Sequence, residues 1–135
     1  VIFIDLDGFK PVNDTYGHEC GDEVLRATAR RLLAVVRGDD TAARIGGDEF
    51  VMLLGELKNG LHAGLTGNRI LKALTQPIEW RGRQVRVSAS LGIAVMPSDG
   101  EDPETLLHKA DEAMYVAKKS GKNGYSFYNE SSYFE

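Results

Sequence analysis

The apolar positions along the chain predict a buried strand followed by an amphipathic helix. Residues 1–6 are almost entirely apolar and rich in β-branched side chains, a pattern typical of a strand that is covered on both faces. A polar segment follows over residues 10–22, and we expect it to be a loop. From Asp22 to Val36 apolar side chains recur at helical spacing, which predicts a helix with one buried face.

A β-hairpin is predicted after this helix. Two short apolar runs, residues 41–45 and 49–54, flank a pair of glycines. Glycine tolerates the positive φ of tight turns, so the two runs are expected to pair across this turn. The tip of the hairpin would display the two acids that follow the glycines, Asp48 and Glu49.

The second half of the chain predicts two helices with strands between them. A helix is expected over residues 61–75, and a strand over residues 84–96 pairs with residues 77–80. The last helix has defined ends, because Asp102 can cap its first turn and Gly121 can end it.

The order of these elements predicts the fold class. A final strand over residues 125–128 completes the series. Strand, helix, two strands, helix and strand match the ferredoxin-like βαββαβ plan, here with an added hairpin. We therefore expect an α+β palm with a mostly antiparallel central sheet flanked by helices, in one domain over residues 1–128. Residues 129–135 are interpreted as a polar tail or the start of a linker.

Composition and charge exclude several classes of partner. Sixteen basic and twenty acidic side chains in 135 residues leave a net charge of −4, which disfavours binding of a nucleic acid polymer or an anionic membrane. No apolar run approaches the roughly 20 residues of a membrane span. The single cysteine, Cys20, cannot form an internal disulfide. We expect a cytoplasmic domain without membrane contact; an inner-membrane anchor elsewhere in a parent protein is compatible with this.

Two acidic segments are candidates for a metal site. Asp5, Leu6 and Asp7 lie at the end of the first strand. Asp48 and Glu49 follow the glycine pair. Magnesium prefers carboxylate oxygens, and the βαββαβ plan makes the first strand a neighbour of the hairpin, so Asp5 and Asp48 can converge on one cation. The alternatives are a turn or helix cap after the strand and a solvated acidic tip on the hairpin.

Polar and basic side chains elsewhere suit a purine nucleotide. Asn13 together with an acid such as Asp14 or Asp22 matches the hydrogen-bonding edge of guanine. The same residue types are ordinary turn and N-cap residues. Lys118 and Lys122 flank the end of the last helix, where a cation either compensates the helix dipole or binds phosphate.

Taken together, these segments resemble the GGDEF domain of diguanylate cyclases, and the resemblance runs through nearly the whole chain in the order of the family. Each motif alone is weakly specific, whereas the full set in register is specific. The matching motifs are Asp5-Leu6-Asp7-Gly8-Phe9-Lys10, Asn13-Asp14, Gly17-His18, Gly21-Asp22, Arg44-Ile45-Gly46-Gly47-Asp48-Glu49-Phe50, Ser90-Leu91-Gly92-Ile93-Ala94, Ala110-Asp111-Glu112-Ala113-Met114-Tyr115 and residues 118–123.

The resemblance implies a magnesium enzyme, with manganese as a substitute. The side chains of Asp5 and Asp48 and the backbone carbonyl of Leu6 would bind the metal. Asp48 would also accept the proton of a 3′-hydroxyl, and Glu49 would support the metal and the ribose. Lys10 would stabilise charge on the phosphate in the transition state, which completes the implied catalytic set of Asp48, Glu49 and Lys10.

The resemblance also implies the substrate and the reaction. Two GTP molecules, one on each of two domains that face each other in a homodimer, would be condensed into cyclic di-GMP with release of pyrophosphate. Asparagine and aspartate would bind guanine with the histidine nearby, the glycines would pass close to the nucleotide, and the lysines would bind the terminal phosphates. The residues implied are Asn13, His18, Asp22, Gly46, Gly47, Lys118 and Lys122.

An inhibitory site is implied by Arg37 and Asp40, which match the family's Arg-x-x-Asp motif at its spacing before the glycine pair. Cyclic di-GMP would bind there and restrain the enzyme, with Arg37 stacking on or bonding guanine and Asp40 accepting from it. The alternative is structural: Arg37 would be a cation at the end of the first helix and Asp40 would shape a turn.

Some features depart from the family pattern. Lys122 stands where the family usually has arginine, so a bidentate phosphate clamp becomes a single point charge. The helix and the Asp-x-Leu-Thr-Gly-Leu-x-Asn-Arg turn that precede the first strand in the family are missing, so we expect a piece of a longer protein with a fused sensor domain. The first motif and the tail resemble composite proteins in which a phosphodiesterase EAL domain follows.

Two other functions are compatible with the sequence. The first is a catalytically weak module that senses GTP or cyclic di-GMP and regulates an attached EAL domain. The second, more distant, is a purine nucleotide cyclase or a relative of the polymerase palm, which shares the fold plan and the two-carboxylate metal chemistry.

Overall fold

Seven strands and four helices form the part of the chain that the computed structural model describes, residues 1–55, 57 and 60–129. The strands are β1 Ile2–Asp7, β2 Thr41–Gly46, β3 Glu49–Leu53, β4 Ile78–Trp80, β5 Arg83–Val85, β6 Ser88–Ile93 and β7 Gly124–Phe127. The helices are α1 Phe9–Tyr16, α2 His18–Val35, α3 Gly60–Leu74 and α4 Pro103–Lys119.

β1 lies at the centre of a five-stranded sheet with the order β2-β3-β1-β6-β7. It pairs antiparallel with β3 and β6, β2 pairs antiparallel with β3, and β7 adds parallel to β6. β4 and β5 form a separate two-stranded hairpin. The ferredoxin-like βαββαβ unit consists of β1, β2, β3 and β6, with α2 connecting β1 to β2 and α3 lying between β3 and β6. The predicted α+β class with an added hairpin is therefore confirmed.

Side-chain alternation along β1 separates two buried faces. The even-numbered side chains of β1 belong to the main core, together with side chains of α2 and α3. Phe3 packs on the opposite face with Leu106 and Met114 of α4. Because successive strand residues point to opposite faces, Asp5 and Asp7 share the face of Phe3 and point towards α4.

α4 approaches the sheet closely because β6 carries a glycine at the contact. A side chain at Gly92 would overlap backbone atoms of Ala110 and Met114. Ala110 is fully buried, so small residues on both elements allow the approach. This packing brings the C-terminal end of α4, with Lys118, to the part of the sheet where β1 ends.

The segment predicted as a loop, residues 10–22, is helical instead. It contains most of α1, and α2 begins at His18 rather than at Asp22. Val12 and Cys20 are buried, which gives the segment a narrow apolar face. The prediction was wrong because two or three apolar side chains among many polar ones produce too little periodicity to be detected.

The other predicted elements are present, with one division. The strand predicted over residues 84–96 is divided into β5, which pairs with β4 as predicted, and β6, which joins the main sheet. The predicted tail over residues 129–135 lies outside the described residues except for Asn129. Within the described part of the chain, no helix has both the length and the apolarity needed to cross a membrane.

Candidate active site

Acidic residues from two strands meet at one end of the sheet. In the register of β1 and β3, Asp5 lies opposite Glu49. The backbone N–H of Leu6 donates to the carbonyl of Asp48 at 3.2 Å. Gly47 has a φ of 53°, which glycine adopts without strain, and this turn leads directly into Asp48. The topology therefore brings together the candidate metal-site residues predicted from the sequence.

The side chains of Asp5, Asp48 and Glu49, here called the acidic cluster, repel one another when they are ionised. Burial, followed by the negative charge of Asp48, raises the pKa of Asp5 from 3.8 to about 6, with Glu49 adding to the effect and Lys118 opposing it. Burial and the charges of Asp111 and Asp48 raise the pKa of Glu49. A nearby cation would relieve this repulsion. Closely spaced carboxylates of this kind are therefore suited to binding a metal ion.

The donor atoms fit magnesium. The carboxylates of Asp5 and Asp48 and the carbonyl of Leu6 are hard oxygen donors of the kind that magnesium accepts alongside water and phosphate oxygens. Within the described residues, no group of three or more His, Cys, Asp or Glu side chains is arranged to enclose an ion. An ion held here therefore needs backbone, water or substrate oxygens to complete its coordination.

Lys118 supplies positive charge at the same place. Its Nζ lies 3.6 Å from Oδ2 of Asp5 and 3.2 Å from Oδ1 of Asp7. Burial acts to lower the pKa of Lys118, but the hydrogen bond to Asp7 and the charges of Asp5 and Asp7 outweigh it and raise the pKa. Lys118 is thus a fixed cation beside the acidic cluster.

Asp7 is a central residue of the site to which sequence reasoning gave no separate role. Its side chain is 5% exposed. Burial would raise its pKa, but hydrogen bonds from the backbone N–H of Asn123, from Ser90 and Ser88 and from Lys118 together lower it. The sequence signal was an acid two residues after Asp5 in a buried strand, but its partners are distant in sequence.

Replacement of Asp5 by asparagine is expected to stabilise the metal-free protein at neutral pH. The folded chain holds a proton on Asp5 more tightly than the unfolded chain, because the pKa rises from 3.8 to about 6. The stability of the wild type should therefore fall as the pH rises through this interval. In EDTA, we expect the melting temperature of Asp5→Asn to exceed that of the wild type above pH 6, and the difference to vanish below about pH 4. Parallel pH profiles would contradict this assignment.

The residues nominated for guanine lie on α1 and α2, around the glycine that joins these helices. The side-chain Nδ2 of Asn13 lies 3.1 Å from Nδ1 of His18, so the imidazole orients the amide. Gly21 lies directly beneath this amide, and a Cβ at Gly21 would overlap Oδ1 of Asn13. Lys10 and Asp22 are exposed on the same pair of helices.

The remaining candidate residues lie in turns or at the end of a strand. Gly46 ends β2, and Lys122 is exposed in the turn after α4 with a φ of 62°. Arg37 and Asp40 form a turn of their own, in which the N–H of Arg37 donates to Oδ2 of Asp40 at 3.2 Å. Oδ1 of Asp40 accepts from the N–H of Gly55 at 3.0 Å. Asp40 therefore shapes a turn, and the side chain of Arg37 remains exposed.

Comparison with known proteins assigns the family. The family described as "Diguanylate cyclase, GGDEF domain" matches residues 1–124. The chain is 48% identical, over 97% of its length, to a Pseudomonas aeruginosa protein described as the bifunctional diguanylate cyclase/cyclic di-GMP phosphodiesterase MucR. It is 37% identical, over 96% of its length, to the cyclic di-GMP phosphodiesterase NbdA of the same organism. The chain spans 19% of MucR and 16% of NbdA.

A solved structure agrees with this assignment. The crystal structure of the GGDEF domain of TpbB from Pseudomonas aeruginosa superposes with a TM-score of 0.90 at 40% identity. The superposition covers 93% of this chain and 79% of that one. Sequence and fold thus agree over nearly the whole length. The chain belongs to the GGDEF domain family of diguanylate cyclases, the cyclic di-GMP signalling domains of bacteria.

Proposed function

We propose that the chain is the catalytic domain of a diguanylate cyclase, which condenses two GTP molecules into cyclic di-GMP and releases pyrophosphate. The observation that carries the proposal is the meeting of β1 with the turn before β3: Asp5 pairs with Glu49, the N–H of Leu6 donates to the carbonyl of Asp48, and Lys118 lies 3.6 Å from Asp5. Two carboxylates next to a cation suit a metal-bound polyphosphate. Membership of the GGDEF family and the likeness to MucR support it.

The proposed metal site consists of Asp5, Asp48 and the carbonyl of Leu6. Magnesium, when bound, would supply positive charge that stabilises the phosphates and favours ionisation of the 3′-hydroxyl. Manganese prefers similar oxygen ligands and is expected to substitute.

The chain's own residues would carry out the proton transfer and hold the phosphates. Asp48 accepts the proton of the 3′-hydroxyl as the bond between that oxygen and the α-phosphorus of the second GTP forms. The bond from this phosphorus to the bridging oxygen breaks, and pyrophosphate leaves. Lys10, Lys118 and Lys122 offset the negative charge of the phosphates, and Glu49 supports the ribose and the metal. A second such step, with the roles of the two nucleotides exchanged, closes the ring and releases a second pyrophosphate.

Substrate recognition follows from the two helices and from dimerisation. Asn13 and Asp22 would bind guanine, with His18 holding the amide of Asn13, and Gly46 and Gly47 would allow the nucleotide to approach the backbone. One domain binds one GTP, so two copies must face each other as a homodimer. A domain that consumes GTP works on the cytoplasmic side, and fused sensor and EAL domains are expected partners in the parent protein.

The proposal is tested by incubating the parent-length protein with GTP and magnesium and separating the nucleotides by chromatography. We expect cyclic di-GMP and pyrophosphate, with neither formed in EDTA and no corresponding product from ATP. Intact GTP at high protein concentration, with nucleotide binding still detectable, would contradict the proposed reaction.

Replacement of Gly21 by alanine is expected to weaken GTP binding without unfolding the protein. The new Cβ displaces the flexible amide of Asn13 and removes its hydrogen bond to guanine. One such bond contributes about 1 kcal/mol, so the Kd for GTP should rise several-fold. Asn13→Ala is the reference variant, and Gly21→Ala should have no further effect in its background. Additive losses in the double variant would show that Gly21 acts elsewhere.

Replacement of Arg37 by alanine is expected to relieve inhibition by cyclic di-GMP. Arg37 contributes only its backbone N–H and carbonyl to the turn with Asp40, so removal of its exposed side chain should leave the fold intact. The concentration of cyclic di-GMP that halves the rate should rise about tenfold or more, as expected for loss of a charged hydrogen-bonding partner. Arg26→Ala, on the exposed side of α2, is the matched control; equal inhibition of both variants would refute the site.

The second candidate function is a GTP-sensing or cyclic di-GMP-sensing module that regulates an attached EAL domain. The likeness to NbdA, a cyclic di-GMP phosphodiesterase, favours it, as does Lys122 in the place of a bidentate arginine. Nucleotide binding without turnover, together with a GTP-dependent change in phosphodiesterase rate of the parent protein, would select this function.

A further inference from the structure

We propose that Asp7 is a positioning residue for the terminal phosphates of the nucleotide, because it holds Lys118 and the turn that carries Lys122 in one arrangement. The inference rests on the proposed function, since it concerns how the terminal phosphates of GTP are bound. Asp7 is buried at the end of β1, two residues after the metal-site candidate Asp5.

The carboxylate of Asp7 is shared evenly between two structural elements. Oδ1 accepts from Nζ of Lys118 at 3.2 Å and from Oγ of Ser90 at 2.8 Å. Oδ2 accepts from the backbone N–H of Asn123 at 3.0 Å and from Oγ of Ser88 at 2.9 Å. Each oxygen therefore accepts from one hydroxyl of β6 and from one nitrogen, which is Nζ of Lys118 on α4 for Oδ1 and the N–H of Asn123 in the following turn for Oδ2. A single side chain ties the cation on the helix to the turn that follows it.

The turn after α4 depends on such an anchor. Gly121, Lys122 and Asn123 have φ values of 118°, 62° and 45°. Positive φ is unfavourable for the last two residues, which carry a Cβ, and such strain persists only where surrounding contacts maintain it. The contacts here are the N–H of Lys122 to the carbonyl of Ala117 at 3.1 Å and the N–H of Asn123 to Asp7. The direction of the Lys122 side chain therefore follows from a backbone that Asp7 fixes.

The position of Lys118 is also set by Asp7. Lysine has a long flexible side chain, and fixing it costs conformational entropy. The contact with Asp7 pays this cost before any ligand arrives, and it leaves Nζ 3.6 Å from Asp5. Phosphates bound beside Asp5 and Asp48 would lie within reach of this ammonium group. Preorganisation of this kind raises affinity for the part of the ligand that the fixed group contacts.

Asparagine at position 7 provides a sharp test, because it keeps the shape of the side chain but makes one of the two terminal atoms a donor. The serine hydroxyls can rotate to accept from an amide N–H. The ammonium of Lys118 and the N–H of Asn123 cannot accept. In either orientation of the amide, its NH2 group faces one of these two donors. Either Lys118 or the turn that carries Lys122 therefore loses its hydrogen bond to residue 7.

The measurement compares two ligands that differ in their terminal phosphates. We expect the Kd of Asp7→Asn for a GTP analogue with a methylene bridge between the α- and β-phosphorus to rise about tenfold or more, as for the loss of a charge-assisted hydrogen bond. The Kd for GMP, which lacks the terminal phosphates, should change by less than about twofold. Equal changes for the two ligands, or no change for either, would overturn the inference.

Ser88→Ala is the matched control. It removes a hydroxyl donor from Asp7 but leaves both nitrogen contacts, so it should lower the melting temperature while leaving the ratio of the two Kd values unchanged. A ratio that shifts as much as in Asp7→Asn would mean that Asp7 acts only through general stability. Should Asp7→Asn not fold, hydrogen exchange in the wild type decides the question: a slowly exchanging Asn123 amide is expected, and rapid exchange would overturn the inference.

Together with the assay of cyclic di-GMP formation from GTP, these Kd measurements separate this inference from the proposed function. A wild-type protein that binds the analogue but forms no cyclic di-GMP contradicts the cyclase reaction. The ratio of the two Kd values then still decides for or against the role of Asp7. Wild-type protein that binds neither ligand contradicts both.

Discussion

Replacement of Asp48 by asparagine is expected to reduce the formation of cyclic di-GMP from GTP by at least about 100-fold, because the amide can neither accept the proton of the 3′-hydroxyl nor contribute charge to a metal. The variant should keep the fold of the wild type. The backbone carbonyl of Asp48 accepts from the N–H of Leu6, and this bond does not require the side chain. Product formation at saturating GTP and magnesium, measured by chromatography, gives the comparison.

A second consequence distinguishes this effect from unfolding. The charge of Asp48 is one of the causes that raise the pKa of both Asp5 and Glu49, so its removal relieves repulsion in the folded state. We expect Asp48→Asn to melt at the same temperature as the wild type or higher in EDTA.

The control for Asp48→Asn is Glu101→Gln, which removes one negative charge from an exposed bend distant in sequence from the acidic cluster. It should retain full activity. Substantial turnover in Asp48→Asn, with Glu101→Gln unchanged, would remove Asp48 from the catalytic step.

The elements that the sequence predicted correctly are those whose signal is local. Asp102 caps α4 as expected, with its side chain accepting from the N–H of Thr105 at 2.9 Å. Gly121, with a φ of 118°, follows the end of the helix. Caps, breakers and apolar periodicity act over a few residues and can be recognised in the chain itself. The short helix α1 was missed because only Val12 is buried in it.

The contacts of the candidate active site also differ in whether the sequence could predict them. The approach of Asp5 to Asp48 could be predicted because the βαββαβ plan fixes β1 as the neighbour of the hairpin. The role of Asp7 could not, because its partner Asn123 is 116 residues away and contacts it through a backbone N–H. Such a contact depends on the path of the turn after α4, which no side-chain pattern encodes. The roles of Lys10, Asp22 and Lys122 towards a nucleotide stay predictions.

Replacement of Gly92 by alanine is expected to cost about 3 kcal/mol of stability, at the upper end of the range for overpacking of a core. The new Cβ would lie 2.9 Å from the carbonyl carbon of Ala113 and closer still to the backbone of Ala110 and Met114. Backbone atoms of a packed helix cannot rotate away as a side chain can, so α4 as a whole must move from β6. For a domain of this size the melting temperature should fall by about 10 °C.

Gly67→Ala is the matched control for Gly92→Ala, because it adds the same methyl group at another buried glycine. Its Cβ would lie 3.5 Å from the ring of Tyr125, an ordinary van der Waals contact. In the interior of α3, alanine is favoured over glycine by about 1 kcal/mol, so the melting temperature should stay level or rise. Because α4 carries Lys118, Gly92→Ala should also weaken GTP binding at temperatures where it is still folded. Equal melting temperatures for the two variants would show that α4 does not depend on the gap at Gly92.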